Sequence, residues 1–277
     1  MKAWRKKVGV VLTFALASAI AFLIWKSFYR PEPTYNGKTL SASAQQYGSN
    51  HWRGAAGRAA DQEAEFAIRQ IGTNGIPFLL DLMRARDSGM KKKLRTILPR
   101  TWQNKPYLRD RSGDIRRIGA YGLAALGTNA PAAVPALIEI ASHHPDEDGR
   151  YIAVFALRTL GSAAEPAIPF LIQCLTNQTR IIRDDAALGL GYMQRRSEIA
   201  VPALIRYLES VKMSGGWEIT DAIASVAQFG TNAKPAVPIL IGLLKHSDHD
   251  VRSYVTNYLP RIDAEAAAKA GVRQQPQ

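Results

Sequence analysis

Twelve lysines and arginines against three aspartates crowd residues 84–117, the densest charge in the chain. Within that stretch run Met90-Lys91-Lys92-Lys93-Leu94-Arg95 and, after Arg100, Trp102, Lys105, Tyr107 and Arg109. Ammonium and guanidinium groups interleaved with two aromatic rings have the chemistry of anion recognition, in which charge attracts and the ring faces stack. Lys91, Lys92, Lys93, Arg95, Arg100, Trp102 and Arg109 are therefore the candidate partner-contact residues. The same pattern also suits a solvated face whose aromatics pin it to a core. The net charge of +13 is local: residues 1–30 carry six positive and no negative charges, residues 84–117 a net +9, and the rest −2. The repeats themselves are thus close to neutral, and the basicity is confined to the N-terminal flank and this one stretch.

Other reactive side chains do not assemble into a known constellation. His143 and His144 stand beside Asp146, Glu147 and Asp148, and His246 and His249 beside Asp248 and Asp250. These are metal-ligating types, but both groups fall in connections between helical segments, where polar residues are expected, and their spacing fixes neither ligand count nor geometry. No metal or cofactor is expected. Cys174 is the one cysteine, set between Leu171 and Leu175, so it reads as core filler and no intramolecular disulfide can form. No phosphate-cradling glycine loop is present. Gly119, Gly122, Gly189 and Gly191 fall inside helices, where they permit close packing at a cost in propensity. No catalytic residue is assigned, and the chain is not expected to be an enzyme.

The elements that position these residues recur. A helix ends at a glycine and a proline follows that opens an apolar run, in segments beginning Ile71-Gly72 with Pro77, Leu126-Gly127 with Pro135, Leu160-Gly161 with Pro169, Ile199-Ala200-Val201 with Pro202, and Phe229-Gly230 with Pro238. Pro135, Pro169, Pro202 and Pro238 are 34, 33 and 36 residues apart, the period of stacked helix pairs. Glycine accepts the left-handed conformation that closes a helix, and proline costs nothing in the first turn of the next. Pro77 and Pro135, however, are 58 residues apart, so the basic stretch is an insertion of some two dozen residues. Insertions in solenoids project from the stack, often on the binding face.

Helix-initial segments carry Asp114-Ile115-Arg116, Ile182-Arg183-Asp184 and Asp248-His249-Asp250-Val251-Arg252. This pattern resembles the HEAT repeat family, including its short bacterial branch, in which Asp-x-x-Val-Arg opens one helix and Gly, then Pro, separates it from the next. Asp248, Val251 and Arg252 match directly; residues 112–116 and 179–183 match loosely. The resemblance covers residues 61–270. Tetratricopeptide repeats share the period, but their Trp, Gly and Tyr do not occur at fixed offsets here. The HEAT-like enzymes that bind iron use His-Glu dipeptides, which this chain lacks, and nothing here marks the chemistry of the HEAT-like bilin lyases.

At the N-terminus, residues 8–25 are uncharged, with Lys2, Arg5, Lys6 and Lys7 before them and Lys26 and Arg30 after. Eighteen residues rise ~27 Å as a helix, enough to cross a bilayer, and Trp4 and Trp25 flank the stretch as interfacial aromatics do. The charge asymmetry places the N-terminus in the cytoplasm and the remainder outside. A cleaved signal peptide is the alternative, since Ala17-Ser18-Ala19 offers small residues, and it would leave a secreted chain. After Pro31-Glu32-Pro33, the segment Tyr35-Asn36-Gly37-Lys38 is a turn signal. The short Tyr-x-Gly-Lys-x-Leu here resembles what precedes the repeats in exported bacterial HEAT-repeat proteins.

The expected organisation is residues 1–30 as membrane anchor or signal segment, 31–60 as linker and N-terminal cap, 61–270 as repeats with the basic insertion at about 87–113, and 271–277 as a polar tail. The expected fold is all-α: a right-handed α-solenoid of stacked helix pairs preceded by one N-terminal transmembrane helix. Curved stacks of this kind serve recognition, so the expected function is a membrane-anchored scaffold binding another protein through its surface and insertion. Alternatives are a binder of anionic lipid or envelope polymer through residues 84–117, or a lyase-type enzyme without motif support. An exported domain makes nucleic acid a poor ligand.

Overall fold

The structure is a computed structural model and describes residues 31–49, 54–99, 101 and 110–272. The expected transmembrane segment at residues 8–25 lies outside them. Among the described residues no helix is long and apolar enough to cross a membrane.

The chain is an α-solenoid with one small departure from all-α. Asn36 and Gly37 both have positive φ, at 48° and 75°, as a two-residue hairpin turn of the primed type requires. They join β1 (Thr34–Tyr35) to β2 (Lys38–Thr39), antiparallel and in register Thr34 with Thr39. Helix α1 (Leu40–Ser49) follows at once and packs on α2 (Gly54–Ile71) and α5 (Ser112–Leu126), with Leu40 and Ala44 wholly buried. Residues read from the sequence as linker and cap thus contribute core side chains.

The stack has two layers. First helices α2, α5, α7 (Glu147–Thr159), α9 (Arg180–Met193), α11 (Trp217–Ala227) and α13 (His249–Ile262) form one, each from α5 onward packed on the next. Second helices α3 (Ile76–Met83), α6 (Val134–His143), α8 (Ile168–Cys174), α10 (Ser197–Val211) and α12 (Val237–Leu243) form the other, each docked on the first helix that follows it. Short α14 (Ala264–Lys269) closes the chain against α13. The seam between layers is apolar: Leu79, Leu123, Leu137, Leu157, Ile168, Leu171 and Leu190 are fully buried, each worth about 1.5–3 kcal/mol relative to exposure. Cys174 lies in it, 7% exposed, and burial raises its thiol to about 11, so it is a packing residue with little thiolate.

The connection within each pair explains the periodicity and its one failure. Gly72, Gly127, Gly161 and Gly230 occupy equivalent positions with φ of 62°, 52°, 56° and 54°. In the third and fifth pairs a 3-10 stretch follows, Gly161–Ala167 and Gly230–Ala236, and the second helix then opens with Pro169 or Pro238 in its first turn. The fourth copy differs from the expectation. Its left-handed position is taken by Gln194, φ 49°, and Arg196 is also positive at 51°. Helix α10 starts at Ser197, so Pro202 lies inside it rather than opening it. Counted back from the later proline, Ile199 stands where the third and fifth copies have Pro166 and Pro235, but Asn74 and Ala132 hold that position in the first and second copies, whose connections are 3-10 as well.

The basic insertion contains helix α4 (Gly89–Ile97), where a projecting loop was the simpler expectation. Residues 90–95 are all good helix formers, Ser88 is extended before them, and Pro99 stops the run.

Candidate functional site

The residues singled out from the sequence divide. Lys91 and Lys93 are exposed on α4. Lys92 and Arg95 lie in the same helix, and Arg100, Trp102 and Arg109 lie outside the described residues. Met90 and Ile97, 74% and 76% exposed, belong to the same short helix.

The two histidine-acid clusters do not converge as ligands; among the described residues no three His, Cys, Asp or Glu side chains are placed to hold a metal ion. Their histidines have another role, repeated down the stack. The backbone N–H of Asp146 donates to His144 Nδ1 at 3.1 Å, and that of Asp248 to His246 Nδ1 at 3.0 Å. Asn177 accepts from Thr179 N–H and Asp110 from Ser112 N–H in the same way, both at 2.8 Å. His, Asn and Asp here are interchangeable acceptors that turn the chain into the next first helix.

Six residues on, an arginine fastens that turn. Arg150 Nη1 donates to the carbonyl of His144 at 2.8 Å, Arg183 to those of Asn177 and Gln178 at 2.9 and 3.1 Å, and Arg252 to those of His246 and Ser247 at 2.6 and 2.8 Å. Arg116, 3% exposed, reaches further: Ala85 carbonyl at 2.8 Å, Asp146 at 3.2 Å and Asp148 at 2.8 Å. The Asp146-to-Arg150 spacing repeats that of Asp248 to Arg252, a signal the motif reading passed over because Gly149 stands where Val is expected. A Cβ at Gly149 would lie 2.1 Å from the His144 ring, so close packing of that histidine decides the glycine. Asp248 also accepts from Gly216 N–H at 3.1 Å, and these backbone donors, Gly216 first, hold its carboxyl below the usual range.

Charged and aromatic groups meet on the first-helix layer of the middle repeats. Arg158 on α7 pairs with Asp185 on α9 at 2.5 Å, and its guanidinium lies over Phe155 at 5.0 Å and Tyr192 at 6.0 Å. Arg183 pairs with Glu218, Arg180 with Asp184 at 3.3 Å, and Tyr207 from α10 donates to Asp184 at 2.9 Å. Burial, with Asp184 beside it, pushes the Tyr207 phenol up. Asp185 is 5% exposed, its Oδ2 has no hydrogen-bond partner, and burial raises its carboxyl to about 6 despite Arg158. The sign follows. A carboxyl with a folded-state pKa above its unfolded value favours folding when protonated, so stability should rise as pH falls from about 6 towards 4. Asp185→Asn should flatten that part of a plot of unfolding midpoint against pH, removing a contribution of about 1–3 kcal/mol. An unchanged slope would place the titration elsewhere.

Large apolar side chains are exposed on the same layer: Phe66, Ile115, Ile181, Tyr192 and Trp217, the last 73% accessible. Residues 105–191 and 134–212 match a family model described as HEAT repeats. These are HEAT repeats. No curated protein matches the chain by sequence. Among solved structures, a designed armadillo repeat protein in complex with the peptide (KR)4 is 15% identical, with 83% of this chain and 98% of that one covered at a TM-score of 0.44. The CpcE and CpcF complex of phycocyanin lyase from Nostoc sp. PCC7120 is 19% identical, with 87% and 84% covered at 0.39. An engineered protein is also 19% identical, with 80% and 96% covered at 0.42. The arginine fasteners Arg116, Arg150 and Arg183 and the helix-closing Gly127 and Gly161 lie within the matched HEAT residues, and Gly72, Gly230 and Arg252 repeat them outside that span.

Proposed function

We propose that the chain is a non-catalytic HEAT-repeat scaffold that binds another protein through its first-helix layer, held at a membrane with the repeats outside the cytoplasm by residues 1–30. One observation carries the protein-binding reading: Ile115, Ile181, Tyr192 and Trp217 are large apolar residues left exposed along stacked helices whose own cores are complete. Exposed apolar side chains beside arginine and aromatic neighbours mark recognition surfaces, where Trp, Tyr and Arg carry most of the energy. The localisation rests on the basic flank and apolar run at the N-terminus.

The test uses the full chain in cells, with a photocrosslinking residue at Trp217 or, on the second-helix layer, at Gln173. A defined protein captured from position 217 and not from 173 is the expected result. Alanine at both Tyr192 and Trp217 should cut capture from an unchanged neighbouring position, Ile181, by about tenfold or more, with helical content intact. Equal capture from both layers, or capture indifferent to the alanines, would overturn the reading.

A further inference from the structure

Helix α4 is short, basic and amphipathic, and of the three residues on its apolar side Met90 and Ile97 are exposed and Leu94 is half-buried. At 100° per residue Met90, Leu94 and Ile97 share one face. Met90 and Ile97 are 74% and 76% exposed, where the seam leucines are at zero. Lys91 and Lys93 fall on either flank of that face, both exposed. Thr96, also exposed, lies on the other side, its hydroxyl turned back to the Lys93 carbonyl at 2.7 Å. The local field matches, since residues 84–117 carry a net +9.

We infer that α4 is a membrane-surface helix, which lays Met90, Leu94 and Ile97 into the headgroup boundary of an anionic bilayer. A helix with an apolar stripe bordered by lysines has this chemistry: the stripe enters the acyl boundary, while the lysine stems run along it and leave their ammonium groups at the phosphates. Each lysine near an anionic surface adds attraction that a neutral surface withholds. A protein groove would use the stripe equally well, but would gain from the cations only if both its rims were acidic, whereas an anionic surface meets both borders at once. Largely exposed Met and Ile beside lysines set this helix apart from the stacked helices, whose apolar faces are buried. The assignment is independent of the first-helix layer as a protein-binding surface.

The experiment uses the full chain with Met90→Cys or Thr96→Cys, labelled with an environment-sensitive fluorophore. Cys174 is buried with its thiol raised to about 11 and stays unlabelled in the folded protein. Labelled protein is combined by detergent removal with vesicles of phosphatidylcholine alone or with phosphatidylglycerol, then floated. Expected is a blue-shifted probe at position 90, quenched by acyl-chain quenchers, in anionic vesicles only, with the probe at 96 unshifted. Lys91→Glu with Lys93→Glu should lower the shifted fraction by about tenfold or more. Floated protein with an unshifted probe at 90, or protein that does not float with anionic vesicles, would overturn the inference. So would a shift equal in neutral vesicles, or one that grows with protein concentration without lipid, which would mark a second copy on the face.

Discussion

Alanine at Gly119 should lower the unfolding temperature by several degrees, while alanine at Gly189 should leave it unchanged or raise it. Both glycines sit inside first helices, where alanine is intrinsically favoured by about 1 kcal/mol. The neighbours reverse the sign at one of them. A Cβ on Gly119 would lie 2.6 Å from the Leu79 carbonyl oxygen and 2.7 Å from Met83 Cγ, so α5 cannot keep its seat on α3. On Gly189 the nearest atom is Leu171 Cδ1 at 3.4 Å, an ordinary contact. Overpacking a fitted core costs about 1–3 kcal/mol, and larger side chains at 119 should cost more. Gly191 belongs with Gly119, because its Cβ would meet Ser225 Cα at 2.9 Å. Thermal melts of the three single variants, followed by circular dichroism, give the comparison. Equal behaviour of all three would mean that the helices separate at no cost.

The other large effect is expected at Arg116. Its guanidinium is buried and spans two repeat junctions, holding the Ala85 carbonyl behind it and Asp146 and Asp148 ahead. Arg116→Met keeps the length and removes the donors, leaving the Ala85 carbonyl unpaired, Asp146 without this counter-charge and Asp148 with only Arg117 at 3.8 Å. Those carboxylates are 38% and 39% exposed and partly solvated, so the loss should be about 2–4 kcal/mol rather than the full cost of stranding a buried ion. Arg117→Met is the control. Arg117 pairs with Asp114 at 3.2 Å and more distantly with Asp148 at 3.8 Å from an exposed position, and its loss should cost less than about 1 kcal/mol. Chemical denaturation at low and high salt separates the two: the Arg116 deficit should persist in salt, because a buried pair is poorly screened. A salt-erased deficit would mean that the contact is only a surface pair.

The architecture was legible because its punctuation is backbone chemistry. Glycine at 72, 127, 161 and 230 declares a left-handed residue, and proline at 77, 135, 169 and 238 declares a helix entry. The fourth connection hid itself, since Gln194 adopts the same φ without being glycine, and Pro202, read as a helix entry, lies inside a helix that starts at Ser197. Helix α1 was obscured by its composition, as Leu40 and Tyr47 are the only large nonpolar or aromatic residues in Leu40–Ser49. The histidines misdirect in the opposite sense: His144 and His246 look like ligands by type, and only the backbone N–H two residues on gives their role. The exposure of Ile115, Ile181, Tyr192 and Trp217 could not be read in advance, because exposure depends on which neighbour each helix turn receives in space.

Three of the arginine fasteners close within the sequence that carries them, from Arg150 to His144, Arg183 to Asn177 and Arg252 to His246, while Arg116 reaches across junctions to the Ala85 carbonyl and Asp148. A copy of one of these three units would therefore arrive with its own clasp, though its pairs to the next repeat, such as Arg183 with Glu218, would still depend on the neighbour. Such a chain can be lengthened by tandem duplication, with its copied turns closed from the first generation; only the ends, where α1 and α14 shield the terminal repeats, cannot be reproduced by copying the middle.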